Sequence, residues 1–314
     1  MKSTLAAGLR ALIALALTAC PLGAGAQPTD AARAEFKAAA EAATKASVSG
    51  PVEIKLADQA VLKLPAGHTY VPATESGRLL AAMGNRVGDG LLGTIFPASS
   101  NADWMVVMRF LKSGYIKDDD ARDWKTDELL SGLKEGTEEA NKERRTRGLQ
   151  EVEVLGWVEA PRYDGATHRL VWSLESRPKG APPTVERGVN YNTYALGREG
   201  YISMNLVTGM QQIQAEKPVA HALLAALTYN DGKRYGDFNS ATDHVAEYGL
   251  AALIGGVAAK KLGLFALLFA FILKFAKVIG VAAIALGALL VKILGGRKQQ
   301  QPPAAPPSAP PPQT

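Results

Sequence analysis

Cysteine is nearly missing from this chain: Cys20 is the one thiol among 314 residues, and it lies close to the N-terminus. If a leader is removed behind it, disulfides, thiolate nucleophiles and cysteine metal sites are excluded together. Histidine is scarce too. His68, His168, His221 and His244 include no pair at i,i+3 or i,i+4, so there is no local zinc motif and no metal is expected. The chain has no phosphate loop, no dinucleotide fingerprint and no Gly-x-Ser-x-Gly elbow, hence no sign of a cofactor. A basic folded surface is also lacking. The net charge of +5 arises from Lys2, Arg10, Lys260, Lys261, Lys274, Lys277, Lys292, Arg297 and Lys298 at the two ends, which leaves the middle neutral or slightly acidic. A nucleic-acid binder carries its basic residues as a patch on the domain with aromatics between them. Here they flank apolar runs, the distribution a membrane selects, and no nucleic-acid partner is expected.

What is present begins with an export signal. Lys2 and Arg10 bracket the start of the apolar run Ala11 to Ala19, and Ala24-Gly25-Ala26 forms a small-residue cleavage site before Gln27. Cleavage after Ala26 is the preferred reading. Leu17-Thr18-Ala19-Cys20 also resembles a lipobox, in which Cys20 would be the acylated first residue, although Pro21 directly after it is unusual.

At the other end, Gly249 to Leu294 is apolar except for Lys260, Lys261, Lys274, Lys277 and Lys292. At about 100° per residue on one helix, all of these lysines but Lys261 share a stripe, and Ala276, Gly280, Ala283 and Gly287 form a nearly opposite seam of small residues. A lysine at mid-bilayer costs roughly 2.5 to 3.5 kcal/mol, so two full spans are hard to place. A span from Lys277 to Leu294 fits better: it leaves Lys277 and Lys292 at opposite interfaces and lets Leu262 to Phe275 lie along the surface. The alternative is a wholly interfacial helix. Gln299 to Thr314, proline-rich and uncharged, reads as a disordered spacer.

Between the ends the length suits one soluble core. Thr29 and Asp30 cap an alanine-rich helix from Ala31 to about Ser47, and Gly50-Pro51 stops it. Val52, Ile54 and Leu56 alternate as a strand, and Val61 to Leu64 resumes the pattern after a polar turn. A short helix from Thr74 to Met83 leads into a glycine-rich loop ending at Ile95-Phe96-Pro97, and Trp104 to Phe110 reads as a buried strand. Asp118, Asp119 and Asp120 are placed to cap a helix that starts near Ala121, whose second half, Glu138 to Arg147, is polar and solvated. Val152 to Val158 is a strand, Pro161 to Gly165 a turn, and His168, Leu170, Trp172 and Leu174 share the apolar face of the next strand. Val189 to Leu196 and Tyr201 to Val207 flank the hairpin turn Gly197-Arg198-Glu199-Gly200, and a helix runs from about Met210 to Leu227. The fold class is therefore α+β, an antiparallel sheet with packed helices, followed by a C-terminal hydrophobic membrane helix. The organisation is a signal peptide over 1–26, the alanine-rich helix over 27–50, an exported domain over 51–245, a membrane-associated segment over 246–296 and the tail over 297–314.

Several stretches together resemble a known family. They are Gly93 to Pro97, Gly114 to Ala121, Gly156-Trp157 through Pro161, Tyr163-Asp164 with His168 and Trp172, and Asn190-Tyr191-Asn192 with Leu196-Gly197-Arg198. The combination, over roughly residues 50 to 255, is similar to the bacterial uncharacterised membrane-anchored proteins, domain of unknown function 2167. The resemblance implies an anchored envelope protein. It brings no established activity and no catalytic residues.

Two sets of side chains are candidates for chemistry. His168 with Asp164, or with the Asp118 cluster, has the residue types of an acid–base pair, but a histidine satisfied beside Trp172 is the simpler expectation. Asn190, Asn192 and Arg198 form the densest polar set near a hairpin and suit a carboxylate or glycan, although turn asparagines bonding backbone explain them as well. The sequence thus points to a bacterial inner-membrane protein with its main domain in the periplasm, acting by binding or assembly. Its expected partners are the membrane, an unidentified envelope protein or glycan, and a second copy through the C-terminal helix at Lys274, Lys277, Gly280, Gly287 and Lys292. The alternatives are an exported hydrolase using His168, and a self-assembling, membrane-perturbing helix.

Overall fold

The computed structural model describes residues 29–255, except 86, 100, 101 and 123. The chain divides into two compact units, Met1–Lys260 and Lys261–Thr314, and all described residues belong to the first. The export signal, Lys274, Lys277, Gly280, Gly287, Lys292 and the proline-rich tail lie outside the described residues. Among those described, no helix is long and apolar enough to cross a membrane.

In chain order the elements are α1 (Asp30–Ala46), β1 (Val48–Ser49), β2 (Val52–Leu56), β3 (Ala60–Leu64), β4 (His68–Pro72), α2 (Ala73–Ala82), β5 (Leu91–Pro97) and β6 (Met105–Leu111). A short 3-10 turn (Asp119–Arg122) precedes α3 (Thr126–Thr146), β7 (Val152–Asp164), β8 (Arg169–Pro178), β9 (Gly188–Leu196), β10 (Tyr201–Gly209), α4 (Ile213–Ala226) and β11 (Leu227–Tyr229). Eight strands form an antiparallel sheet in the order β1-β4-β5-β6-β10-β9-β8-β7, and β11-β3-β2 form a second, smaller sheet. The expected α+β class, with helices packed on a large antiparallel sheet, is what the chain adopts.

Strand alternation decides which residues meet which layer. In β10, Ile202, Met204 and Leu206 point to the back of the large sheet with Tyr191 and Val171. They pack there against Ile213, Ala220, Leu223 and Leu224 of α4 and against Ile54, Leu56, Leu62 and Leu64 of the small sheet. The front is covered at its two ends only. At the β4–β5 end, Ala39, Ala40 and Ala43 of α1 and Leu79 of α2 lie on Val71 and Phe96. At the β8 end, Leu170, Trp172 and Leu174 meet Ile116, Leu129, Tyr235, Leu250, Leu253 and Ile254. A buried leucine stabilises by roughly 1.5–3 kcal/mol, whereas an alanine removes far less surface from water. Helix α1 is therefore held mainly by small alanine contacts, with Phe36 as its one large apolar side chain in the cluster. Between the two covers, Val107, Arg109, Ser203, Asn205, Val207 and Asn190 are left half-buried.

The structure departs from the sequence reading at several places. The glycine-rich stretch before Ile95 includes β5, which starts at Leu91 and pairs β4 and β6. The supposed turn at Pro161 is part of β7. That strand lies at the sheet edge and its register skips between Glu159 and Arg162, so Pro161, which has no N–H to donate, sits where no ladder bond is needed. The three aspartates do not act together as caps of the following helix: Asp120 accepts from the N–H groups of Leu250 and Ala251 at 3.1 and 3.0 Å. Core packing accordingly runs through Ile254, past the boundary drawn at residue 245. In the polar half of α3, Asn141 is fully buried and bonds both the N–H and the C=O of Val152, extending the β7 ladder with a side-chain amide.

Candidate functional site

The turn between β7 and β8 sets up the first group. Asp164 accepts from the Ala166 N–H at 3.0 Å and from the Thr167 hydroxyl at 2.7 Å, closing the turn on itself. The next residue, His168, has φ 52°, a left-handed conformation uncommon for a side chain of this size. This aims its ring away from Asp164 and onto Tyr235, with centroids 4.0 Å apart and planes 27° apart. The expected neighbour Trp172 instead packs against Trp157 and Tyr194.

His168 does meet a carboxylate, through an intermediary. The Tyr163 hydroxyl donates to Asp118 Oδ2 at 2.7 Å and lies 3.1 Å from His168 Nδ1, with Nδ1 itself 3.7 Å from Asp118 Oδ2. Since the phenol has one proton and Asp118 receives it, Nδ1 carries the proton directed at the Tyr163 oxygen. Burial, and then the bond to Asp118, hold the Tyr163 phenol far above its ordinary range, so it stays a donor. His168 Nε2 has no partner among the described residues. The structure thus joins His168 to Asp118 and parts it from Asp164.

The second candidate set divides. Arg198 forms a two-pronged pair with Asp243, Nε to Oδ2 at 2.7 Å and Nη2 to Oδ1 at 2.8 Å. This bond, and the Asn239 N–H, drive the Asp243 carboxyl well below the usual range. Arg198 ties the β9–β10 turn to the segment after β11 that carries Asp243, and is no neighbour of the asparagines. Asn190 and Asn192 stand two apart on the front of β9, opposite Leu174 and Trp172 of β8 and Val207 and Asn205 of β10. The Asn205 amide donates to Asn190 Oδ1 at 3.2 Å, and Asn192 donates to the Asn190 carbonyl at 3.3 Å. The asparagine row is therefore three residues, one of them unforeseen.

Sequence reasoning missed a third group, on the back of the sheet. The fully buried Tyr191 donates to Glu159 Oε2 at 2.8 Å and lies 2.9 Å from His221 Nε2, while Lys217 Nζ bonds the same Glu159 oxygen. Burial would raise the Glu159 carboxyl, but the Lys217 and Tyr191 bonds outweigh it and leave it below its usual range. Burial lowers the His221 pKa, so its Nε2–H donates to Tyr191 from a neutral ring. The signal the sequence carries is Lys217 and His221 at i,i+4 on one helix, a spacing that a pattern of histidine pairs does not include. Among the described residues no cluster of three or more histidine, cysteine or acidic side chains has metal-holding geometry.

Fold and site together define an α+β domain in which Asp118, Asp164, Arg198 and Glu159 are each engaged by neighbouring side chains and the sheet front keeps a half-buried polar strip. The chain belongs to the family described as protein of unknown function DUF2167, which it matches over residues 48–287. No curated protein sequence matches it. Solved structures similar to it include cyanobacterial PsbP (CyanoP) from Synechocystis sp. PCC 6803, at 11% identity and TM-score 0.35 over 59% of this chain and 91% of that one. Another is the Saccharomyces cerevisiae Ran-binding protein Mog1p, at 9% identity and TM-score 0.33 over 58% of this chain and 96% of that one. Likenesses this distant carry no argument about function.

Proposed function

We propose that this protein is a membrane-anchored bacterial envelope protein whose α+β domain stands on the periplasmic side of the inner membrane and works by binding or assembly rather than by catalysis. The observation that carries this reading is how the candidate groups are used. Asp164 holds its own turn, Arg198 is locked to Asp243, and the polar side chains left half-buried on the sheet front include Arg109, Ser203, Asn205 and Asn190. Anchoring and export rest on the two ends of the chain, with Lys274, Lys277 and Lys292 at the bilayer and Gly280 and Gly287 available for self-association.

One observation favours a second reading, an exported hydrolase: His168 sits in a left-handed conformation with Nδ1 oriented by Tyr163 and Asp118. Recovery of partners from membranes with the full chain separates the two. The binding reading expects the same partner with wild type and with His168→Gln, and its loss with Asn205→Arg, which fills the strip. A hydrolytic activity that His168→Gln abolishes while the domain keeps its melting temperature would establish the second reading and sink the first.

A further inference from the structure

Three of the four strand edges among the described residues are closed to further pairing by their own sequence. β1 runs for two residues and β11 for three, and β7 carries Pro161 and slips of register. The edge left open is β2, on the outer side of the small sheet. It pairs β3 without a bulge from Val52 to Leu56 and meets no other strand among the described residues. Alternate residues of such a strand turn N–H and C=O outward, and no described residue outside the β2–β3 hairpin bonds them.

The side chains of β2 sort with period two. Ile54 and Leu56 enter the core, 8% and 1% exposed, while Glu53 and Lys55 stand exposed on the outer face. Glu53 lies opposite Lys63 of β3, with its Oε1 4.0 Å from Nζ. Lys55 lies opposite Val61 and has no counter-charge among the described residues.

An edge strand of this kind can pair with a copy of itself about a two-fold axis, and charge selects the register. Centred on Ile54, the axis sets Glu53 opposite Lys55 of the second copy, sets Lys55 opposite Glu53 of the second copy, and brings Val52 against Leu56 on the apolar face. Centred on Glu53 or on Lys55, it sets two like charges opposite each other. Placed between residues, it turns the charged face of one copy onto the apolar face of the other. The Ile54 register is the complementary one. It places Glu53 between its own Lys63 and Lys55 of the second copy, and the two small sheets continue as one.

We propose that two copies of this protein join edge to edge through β2, antiparallel about Ile54. The inference specifies the assembly in the binding reading and rests on it, because a contact of five residues from each copy is weak between free molecules. It forms between copies that their C-terminal segments already hold together at one membrane, where the effective concentration is high.

Cysteine pairing tests the register in membranes containing the full chain, with Cys20 replaced and a substitute export signal. Glu53→Cys and Lys55→Cys, produced together, face each other across the axis at a separation a disulfide spans, whereas either variant with its own copy lies on a longer diagonal. Oxidation is expected to crosslink the mixture, and either variant alone at least about fivefold less. Amide exchange tests the charges. Lys55→Glu changes no ion pair within the described chain but sets glutamates opposite each other across the axis, and should speed exchange in β2 by about tenfold; adding Glu53→Lys restores the opposite charges and the protection. Crosslinking of one variant alone as strong as that of the mixture, no crosslink in the mixture, or exchange unchanged by Lys55→Glu would each overturn the proposal. A missing crosslink from membranes that still yield another partner removes the β2 pairing and keeps the binding reading, whereas loss of crosslink and partner together overturns both.

Discussion

Glu216 and Glu159 are both carboxylates drawn out of water, and their surroundings push them in opposite directions. Glu216, 8% exposed, has its carboxyl raised by burial, which the Thr208 hydroxyl bond offsets only in part and nearby Asp103 reinforces. The folded state therefore holds that proton more tightly than the unfolded chain. Its stabilising contribution is present at acid pH and fades as pH rises from about 4.5 through the folded value. Glu216→Gln keeps an acceptor for Thr208 and removes the buried charge. It should raise stability at pH 7 by on the order of 1 kcal/mol in urea unfolding and leave stability near pH 3 unchanged. Glu159 behaves in the opposite sense: its folded carboxyl is lowered, so its contribution is full above about 4.5 and is lost as pH falls through the folded value. Glu159→Gln should cost about 1.5–3 kcal/mol at pH 7, a loss that disappears at the acid end of the same titration. An effect of equal size at both pH values would refute the ionic account in either case. Neither residue was legible as special beforehand, because Tyr191 meets Glu159 across the intervening strand β8, and Thr208 meets Glu216 where α4 packs on the sheet, rather than through a spacing pattern along the chain.

Elements whose own residues state their pattern were legible; those completed by distant partners were not. The β9–β10 hairpin follows from alternating residues around Gly197 to Gly200, and α1 from Thr29, whose hydroxyl accepts from the Ala32 N–H at 3.2 Å. β5 was hidden because Gly93 and the preceding glycines imitate a loop, and its strand character comes from β4 and β6 on either side. The polar half of α3 looked wholly solvated, since nothing local marks Asn141 as the residue that continues the β7 ladder. That position yields a test at the scale of the element. Asn141→Ala leaves the N–H and C=O of Val152 without their amide partner and should cost about 1–3 kcal/mol. Amide exchange should speed up at Val152 and Val154 and remain unchanged in β9 and β10. Uniform acceleration across the sheet would mean that Asn141 supports the whole core instead of the start of the edge strand.

For the molecule as a whole, the decisive prediction concerns the C-terminal segment, where the lysine stripe and the small-residue seam point to different jobs. If the seam mediates close helix packing, Gly280→Leu and Gly287→Leu should abolish self-association in membranes while leaving insertion intact, because leucine adds bulk without polarity. Replacing Lys274 and Lys277 with leucine acts on the other property. It extends the apolar run across Leu262 to Val291 and should draw the surface portion into the bilayer, since a lysine near mid-bilayer costs roughly 2.5–3.5 kcal/mol and its removal lifts that barrier. Topology is read by cysteine accessibility at Ser240, which is exposed on the domain, and at Ser308 in the tail, in a background without Cys20 and with a substitute export signal. A single span expects Ser240 to be labelled from outside and Ser308 to be protected, with Arg297 and Lys298 retained on the cytoplasmic side. Labelling of both sites from outside would refute the single span and leave an interfacial helix or a hairpin. On an interfacial helix the lysine stripe faces water along its whole length, and the Lys274 and Lys277 replacements should then bind the membrane more tightly without changing which side Ser308 occupies.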